Sequence, residues 1–345
     1  QEEFVVVDIG SGFIKAGFSG EDYPRVIIPT VMGERVQEVE DILAVGTEGR
    51  TKKTHKVFGN QAYKQWKDYP QFKPVQRGIV PDIETDHLAD LLEHIFTKEL
   101  QLDTKNMNVL MTDSPMNPKE RKSKLAEIMF ETFKVKQFAL MNTAVLSLYS
   151  SGRTCGLVAE CGEGVTYTVP VFEGYALPHA MLSLEVSGQD VTRKLMSELM
   201  DCGTRIEEYH FPFVRDIKEK MCHVAYDYDQ ELAQRDDPLD REQRSYELPN
   251  GDKLDVIEVN HHKRITAAEV IFDPSLLDVK MEFLPKDDLG KGGIARLAFH
   301  SIEKCDTDLK IQLYNNIVLA GGTTLMKGFA ERFDKEIRDL AEARA

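Results

Sequence analysis

A chain of 345 residues exceeds what one hydrophobic core usually serves, so two lobes are expected. Its formal net charge of −15 argues against a nucleic-acid backbone as direct partner, because that affinity comes from Lys and Arg neutralising phosphates. No apolar run approaches the roughly 20 residues of a membrane helix, and the five cysteines form no CxxC pair, which suits a reducing, intracellular compartment better than a disulfide framework.

In chain order, Phe4–Val7, Ile14–Phe18 and Val26–Ile28 read as short strands separated by glycine turns, an antiparallel meander. The charged stretch from Gly33 to Gly59 reads as a solvent-exposed loop around the apolar island Ile42–Val45. Helical spacing follows at Asp86–Leu100, with Leu88, Leu91, Leu92, Ile95 and Phe96 on one face. Val109–Thr112 reads as a buried strand. Asn117-Pro118 offers a cap and a first-turn proline for the helix carrying Leu125, Ile128, Met129 and Phe133. Ala144–Tyr149 is an apolar helix leading to a second meander that includes Val169–Phe172 and Tyr175–Leu177. Helices are expected at Val186–Met200 and Phe213–Ala225, then a polar surface connection over Asp227–Arg244 and an Asn250-Gly251 turn. His261-His262 lies in a polar stretch, where a solvated loop is expected over a metal-binding role. Asn316–Thr324 reads as strand, double glycine, then helix, which closes an α/β order repeated twice.

Two segments carry chemistry in the same pattern. Val5-Val6-Val7-Asp8-Ile9-Gly10-Ser11-Gly12, with Lys15 beyond it, is an apolar strand ending in an acid and a glycine turn. Leu157-Val158-Ala159-Glu160-Cys161-Gly162-Glu163-Gly164 repeats the design. Glycine lets a backbone approach an anion closely. A duplicated acid-plus-glycine hairpin therefore suggests two jaws on one polyphosphate, with the acids holding a hydrated metal.

The chain resembles the actin family over nearly its whole length. The resemblance rests on Asp8–Phe18 (DIGSGFIKAGF), Asn117-Pro118-Lys119, Ile128–Phe133 (IMFETF), Ala144–Thr154 (AVLSLYSSGRT), Gly162–Pro170 (GEGVTYTVP), Glu173–His179 (EGYALPH), Val214–Met221, Ala225–Glu231, Ser245–Pro249 and Ala320–Thr324 (AGGTT). It implies an α/β, actin-like fold of the Hsp70, actin and sugar-kinase superfamily: two related lobes and four subdomains around a cleft holding Mg-ATP or Mg-ADP. The expected subdomains are 1–31 with 76–148, 32–75, 149–187 with 275–345, and 188–274. The first is expected to lack its C-terminal part, because an actin-like chain would continue past the helix Phe329–Leu340, and Gln1 in place of Met suggests a missing N-terminus.

By position, the resemblance implies that Ser11, Gly12, Phe13 and Lys15 meet the phosphates, with Asp8 and Glu160 on waters of the Mg²⁺ shell. Gly162, Glu163, Gly164 and Val165 would face the phosphates from the other jaw, with backbone donors from the two glycines. Lys218 and Glu219 match the base and ribose contacts, and Gly321, Gly322, Thr323 and Leu325 match the nucleoside pocket.

Departures cluster on the hydrolytic side. Thr143 stands where the family has a water-positioning glutamine, Tyr167 where it has a water-facing histidine, and Glu160 where it has a shorter acid. Cys161 replaces a serine, Glu163 an aspartate, and Arg77 the modified histidine. Phosphoryl transfer depends on positioning and electrostatics, so nucleotide binding with weak or absent hydrolysis is expected.

The Val36–Lys56 stretch falls where actin carries its DNase-binding loop, and Val256–Ala268 reads as a remodelled filament loop. The expected partners are actin or actin-related proteins, actin-binding proteins and scaffold proteins of a larger complex, without nucleic acid or membrane insertion. The expected setting is the cytoplasm and cytoskeleton, with nucleus or cilium as alternatives. The competing roles are a fixed subunit of a ciliary, dynactin-like or chromatin-remodelling complex, an active filament ATPase, and, with least support, a sugar kinase.

Overall fold

The computed structural model describes residues 4–40, 50–79, 87–201, 205–233, 244–248, 255–277 and 293–344. The chain forms two compact units, Gln1–Met141 and Asn142–Ala345.

In the first unit, β1 (Phe4–Ile9), β2 (Phe13–Phe18) and β3 (Val26–Pro29) form the expected meander. Alternation along β1 and β2 turns Val5, Val7, Ile14 and Ala16 inward. Then come β4 (Met32–Glu40), β5 (Arg50–Phe58), α1 (Asn60–Lys64), β6 (Gln71–Phe72), α2 (His87–His94), β7 (Asn108–Asp113), α3 (Lys119–Glu127) and β8 (Gln137–Asn142). The main sheet runs β3-β2-β1-β7-β8, with β1 antiparallel to β2 and parallel to β7. Leu88, Leu91, Leu92, Ile95 and Phe96 pack on it with Val109 and Met111, and Phe96 meets Phe133 edge-on at 5.3 Å. Fully burying a side chain of that size contributes about 1.5–3 kcal/mol. After α2 the hydrogen bonding widens by one residue, from Leu100 N to Ile95 O at 2.9 Å.

The second unit begins with α4 (Thr143–Ser150), followed by β9 (Gly156–Cys161), β10 (Thr166–Phe172), β11 (Tyr175–Ala176), β12 (Leu182–Leu184), α5 (Gly188–Asp201), α6 (Phe211–Met221) and α7 (Tyr228–Ala233). It continues with β13 (Arg244–Leu248), β14 (Asp255–Val259), α8 (His261–Glu269), α9 (Gly293–Glu303), α10 (Thr307–Asn315), β15 (Ile317–Ala320) and α11 (Phe329–Glu342). The sheet order is β11-β10-β9-β15, with β12 on β10. Here β9 is antiparallel to β10 and parallel to β15, which repeats the β1, β2, β7 arrangement of the first unit.

Several expectations need correction. The Gly33–Gly59 loop is largely a long hairpin, β4 against β5, pairing Glu34 with Lys56 and Gln37 with Lys53. Strands polar on both faces lack the alternation that identifies a strand. Residues 41–49, including the island Ile42–Val45, lie outside the described residues, as does the Asn250-Gly251 turn between β13 and β14. Pro118, not Asn117, occupies the cap of α3, and the Asn117 amide donates to Asp113 Oδ1 at 2.8 Å. Within the polar Asp227–Arg244 stretch, α7 is helical. His261 and His262 open a helix rather than a loop, and Lys263–Glu269 behind them is buried. The buried Glu269 is accommodated by ion pairing: Arg332 Nη2 of α11 donates to its Oε1 at 2.7 Å. Burial pushes the Glu269 carboxyl up to about 7, against the pull of Arg332.

Candidate functional site

Each unit presents one acid hairpin, and the two share a hydrogen-bond scheme. In the first unit, Asp8 on β1 lies opposite Lys15 on β2, and Gly10 N donates to Phe13 O at 3.1 Å. In the second, Glu160 on β9 lies opposite Tyr167 on β10, and Gly162 N donates to Val165 O at 3.1 Å. Both carboxylates also accept a threonine hydroxyl: Thr112 Oγ1 to Asp8 Oδ1 at 2.8 Å, and Thr143 Oγ1 to Glu160 Oε2 at 2.9 Å.

The first hairpin carries an ion pair between its strands. Lys15 Nζ stands 3.0 Å from Asp8 Oδ2, with the lysine side chain 49% exposed. The Ser11-Gly12 turn is braced from two sides. Gly78 N donates to Ser11 Oγ at 2.8 Å, next to Arg77 with its positive φ of 47°, and Thr30 N donates to Gly12 O at 3.0 Å. Ser11 keeps its hydroxyl hydrogen for a ligand, since Oγ acts as acceptor in that bond. Phe13 opens β2 and supplies the carbonyl that closes the turn.

The second hairpin is embedded in a polar cluster of its own unit. Gly162 O accepts Gly188 N at 2.9 Å and Thr323 Oγ1 at 2.9 Å, while Glu163 O accepts Gln189 N at 2.8 Å and Ser187 Oγ at 2.7 Å. Lys218 is buried, donates Nζ to Gly188 O at 3.1 Å and lies 3.6 Å from Glu163 Oε2. These bonds bring Gly162, Glu163, Lys218 and Thr323 together. Gly164 and Val165 complete the same turn, the Gly164 carbonyl accepting Gln189 Nε2 at 3.5 Å. Glu219, the next residue on α6, takes no part in these bonds; it is 54% exposed and 3.8 Å from Arg215 Nε.

Gly321 closes the cluster. Its φ is +85°, and a Cβ there would sit 2.3 Å from Cys161 O. Beside it, a Cβ on Gly322 would meet nothing within 4 Å, and Leu325 is 85% exposed. An apolar side chain and a bare backbone thus face open space where β15 ends.

Three expectations change in detail. Gly162 cannot donate its N–H to a ligand while it donates to Val165 O. Cys161 is fully buried among core residues, with its thiol pushed up to about 12 by desolvation, so it fills space and neither ionises nor reaches a phosphate. The Tyr167 ring is 5% exposed and packs with Ala144, Val145, Leu148 and Val158, so it is a core residue of the hairpin. Sequence reasoning missed Thr112, Thr30, Gly78 and Gly188. The first three act through tertiary contacts that no local motif announces. Gly188 had a signal: Ser187-Gly188-Gln189-Asp190 is a helix-start pattern, and Asp190 Oδ2 accepts Ser187 N at 2.9 Å.

Taken unit by unit, each hairpin acid has the chemistry of a hard-cation ligand. Asp8 and Glu160 offer hard carboxylate oxygens, each able to accept more than the partners named above. Mg²⁺ keeps several waters and takes one or two carboxylates. The actin family model matches residues 1–212 and 209–345, which together span the whole chain. With the acid hairpin and its flanking parallel strand repeated in both units, the protein belongs to the actin family.

Proposed function

We propose that this actin-family chain binds Mg-ATP or Mg-ADP and serves as a structural subunit of an actin-like assembly, with ATP hydrolysis slow or lost. Asp8 and Glu160 would hold waters around Mg²⁺, which supplies charge neutralisation along the phosphates. Lys15 adds a point charge and Ser11 a hydroxyl donor on the first-unit side. In the second unit Gly162, Glu163, Gly164 and Val165 form the corresponding turn. Lys218, Glu219, Gly321, Gly322, Thr323 and Leu325 would frame the nucleoside.

The observation that carries the weak-hydrolysis part is the 2.9 Å bond from Thr143 Oγ1 to Glu160 Oε2. At the position where the family resemblance implies an amide holding water, this chain has a short hydroxyl engaged with the acid, and its neighbour Tyr167 is buried. Positioned proton-transfer groups are typically worth ~10²–10⁴-fold, so their loss slows turnover without abolishing binding.

The test uses purified full chain with a fluorescent ATP analogue, single-turnover hydrolysis and high-speed sedimentation. Saturable, Mg²⁺-dependent binding with turnover well below that of conventional actin is expected. Turnover equal to actin's would sink the hydrolysis claim, and absence of binding at millimolar nucleotide would sink the rest.

A second reading, a fixed subunit of a larger complex, draws on the β4–β5 hairpin. Arg35, Val36, Gln37, Lys53 and Thr54 are exposed along it, a mixed and charged surface suited to a specific non-identical neighbour. Failure to pellet alone, with stable co-purification of other subunits, would favour it. The cytoplasm and cytoskeleton are the proposed setting, with actin, actin-related proteins or scaffold proteins as partners; a fixed subunit could equally serve in the nucleus or cilium.

A further inference from the structure

One side-chain cluster in the second unit takes no part in the candidate nucleotide site. His223 follows α6, Glu231 lies on α7 and His261 opens α8, and their three ligand atoms all lie within 4.8 Å of one another. Glu231 Oε2 is 3.8 Å from His223 Nε2 and 3.8 Å from His261 Nε2. At that distance the groups are not hydrogen-bonded, so three polar atoms converge on a gap without closing it.

We propose that this cluster is a zinc site, with His223 Nε2, His261 Nε2 and Glu231 Oε2 as ligands and a water in the fourth position. Two imidazoles and a carboxylate form a borderline-soft set that suits Zn²⁺ and not the oxygen-preferring Mg²⁺. Around an ion with bonds of about 2.0–2.2 Å, tetrahedral ligand atoms lie roughly 3.3 Å apart. The two His–Glu separations therefore need to shrink by about half an ångström, and the His–His separation, at most 4.8 Å, by at most about 1.5 Å, through side-chain rotation.

The ligands are held by the fold. The other carboxylate oxygen, Glu231 Oε1, accepts Tyr226 N at 3.0 Å, an outer contact that aims Oε2 at the imidazoles. His223 is fixed by a bridge to Lys327, and Val224 N donates to Lys327 O at 2.8 Å. His261 follows the Asn260 cap, whose side chain accepts Lys263 N at 3.0 Å. Side-chain exposures of 20–28% leave a path for the ion and its water. Bound Zn²⁺ would clip the end of α6 to α7 and α8.

Three experiments on chelator-treated full chain test the proposal: calorimetric titration with Zn²⁺ in excess Mg²⁺, Co²⁺ absorption, and the same measurements on Glu231→Gln and His261→Ala. One Zn²⁺ per chain, at least ~10-fold weaker in either variant, is expected. Bound Co²⁺ should show visible bands of a nitrogen–oxygen site without a thiolate charge-transfer band. The spectrum of the unmutated chain reads the ligand set whether or not a variant folds. Absence of stoichiometric binding, equal affinity in well-folded variants, or a thiolate band assigning the ion to cysteine would each overturn the site.

Discussion

At the scale of single residues, Gly321 and Gly322 are adjacent yet under opposite constraints. Gly321 combines a φ of +85° with a virtual Cβ 2.3 Å from Cys161 O, whereas a Cβ at Gly322 meets nothing within 4 Å. Gly321→Ala should lower the unfolding free energy by about 1–3 kcal/mol, the usual cost of such strain, and weaken nucleotide binding. Gly322→Ala should leave stability unchanged or raise it by up to about 1 kcal/mol, and urea unfolding of the two variants checks the contrast. Thr143 supplies a second test. If slow hydrolysis follows from the short hydroxyl on Glu160, then Thr143→Gln should raise the single-turnover rate by ~10-fold or more. Tyr167→His should mainly destabilise, because that ring sits in an apolar cluster. The acid, the glycines and Lys15 were legible in the sequence because their types and spacing are local. Their partners Thr112 and Gly78 were not, because strand pairing and tertiary packing bring them in from more than 60 residues away.

At the scale of elements, the β13–β14 hairpin shows how a polar segment is anchored. Tyr246 on β13 donates its hydroxyl to Asp216 Oδ2 of α6, which also takes Lys220 Nζ at 2.6 Å. Burial, reinforced by the Asp216 bond, pushes the Tyr246 hydroxyl up to about 12. Desolvation works to raise Asp216, but its bonds from Lys220 and Tyr246 outweigh it and hold the carboxyl below its ordinary value. The signs follow from proton linkage. The native state keeps the Tyr246 proton longer than the unfolded chain does, so its contribution is complete below about pH 10 and is lost between about pH 10 and 12. The Asp216 contribution is complete above its ordinary range and is lost as pH falls below about 3.8. Tyr246→Phe should therefore cost about 1 kcal/mol at neutral pH, with the gap to the parent closing as pH approaches 12. Denaturant unfolding at pH 7, 9, 10.5 and 11.5 measures this. Reading α8 as a loop went wrong for a related reason. His261, His262, Lys263 and Arg264 look like surface in the sequence, although Lys263 and Arg264 are buried in the folded unit.

For the whole molecule, each unit has its own sheet and core. A ligand that binds only the native state stabilises it by mass action, by about 2.7 kcal/mol at a hundredfold excess over Kd. Thermal unfolding should therefore shift upward with Mg-ATP and less with ATP plus chelator. An unchanged midpoint would mean that the nucleotide is not bound. Among the described residues no helix is long and apolar enough to cross a membrane, and the free thiols Cys155, Cys161, Cys222 and Cys305 form no disulfide.

By itself the sequence determined the family, the repeated strand–acid–glycine pattern and most of the apolar elements, because each rests on local spacing that backbone geometry makes readable. Only the tertiary structure decided that the Gly162 N–H is taken and that Cys161 and Tyr167 belong to the core. It also decided that His223, Glu231 and His261 converge. Those outcomes depend on which surfaces pack together, and packing is set by the whole chain collapsing around its cores, not by neighbours in the sequence.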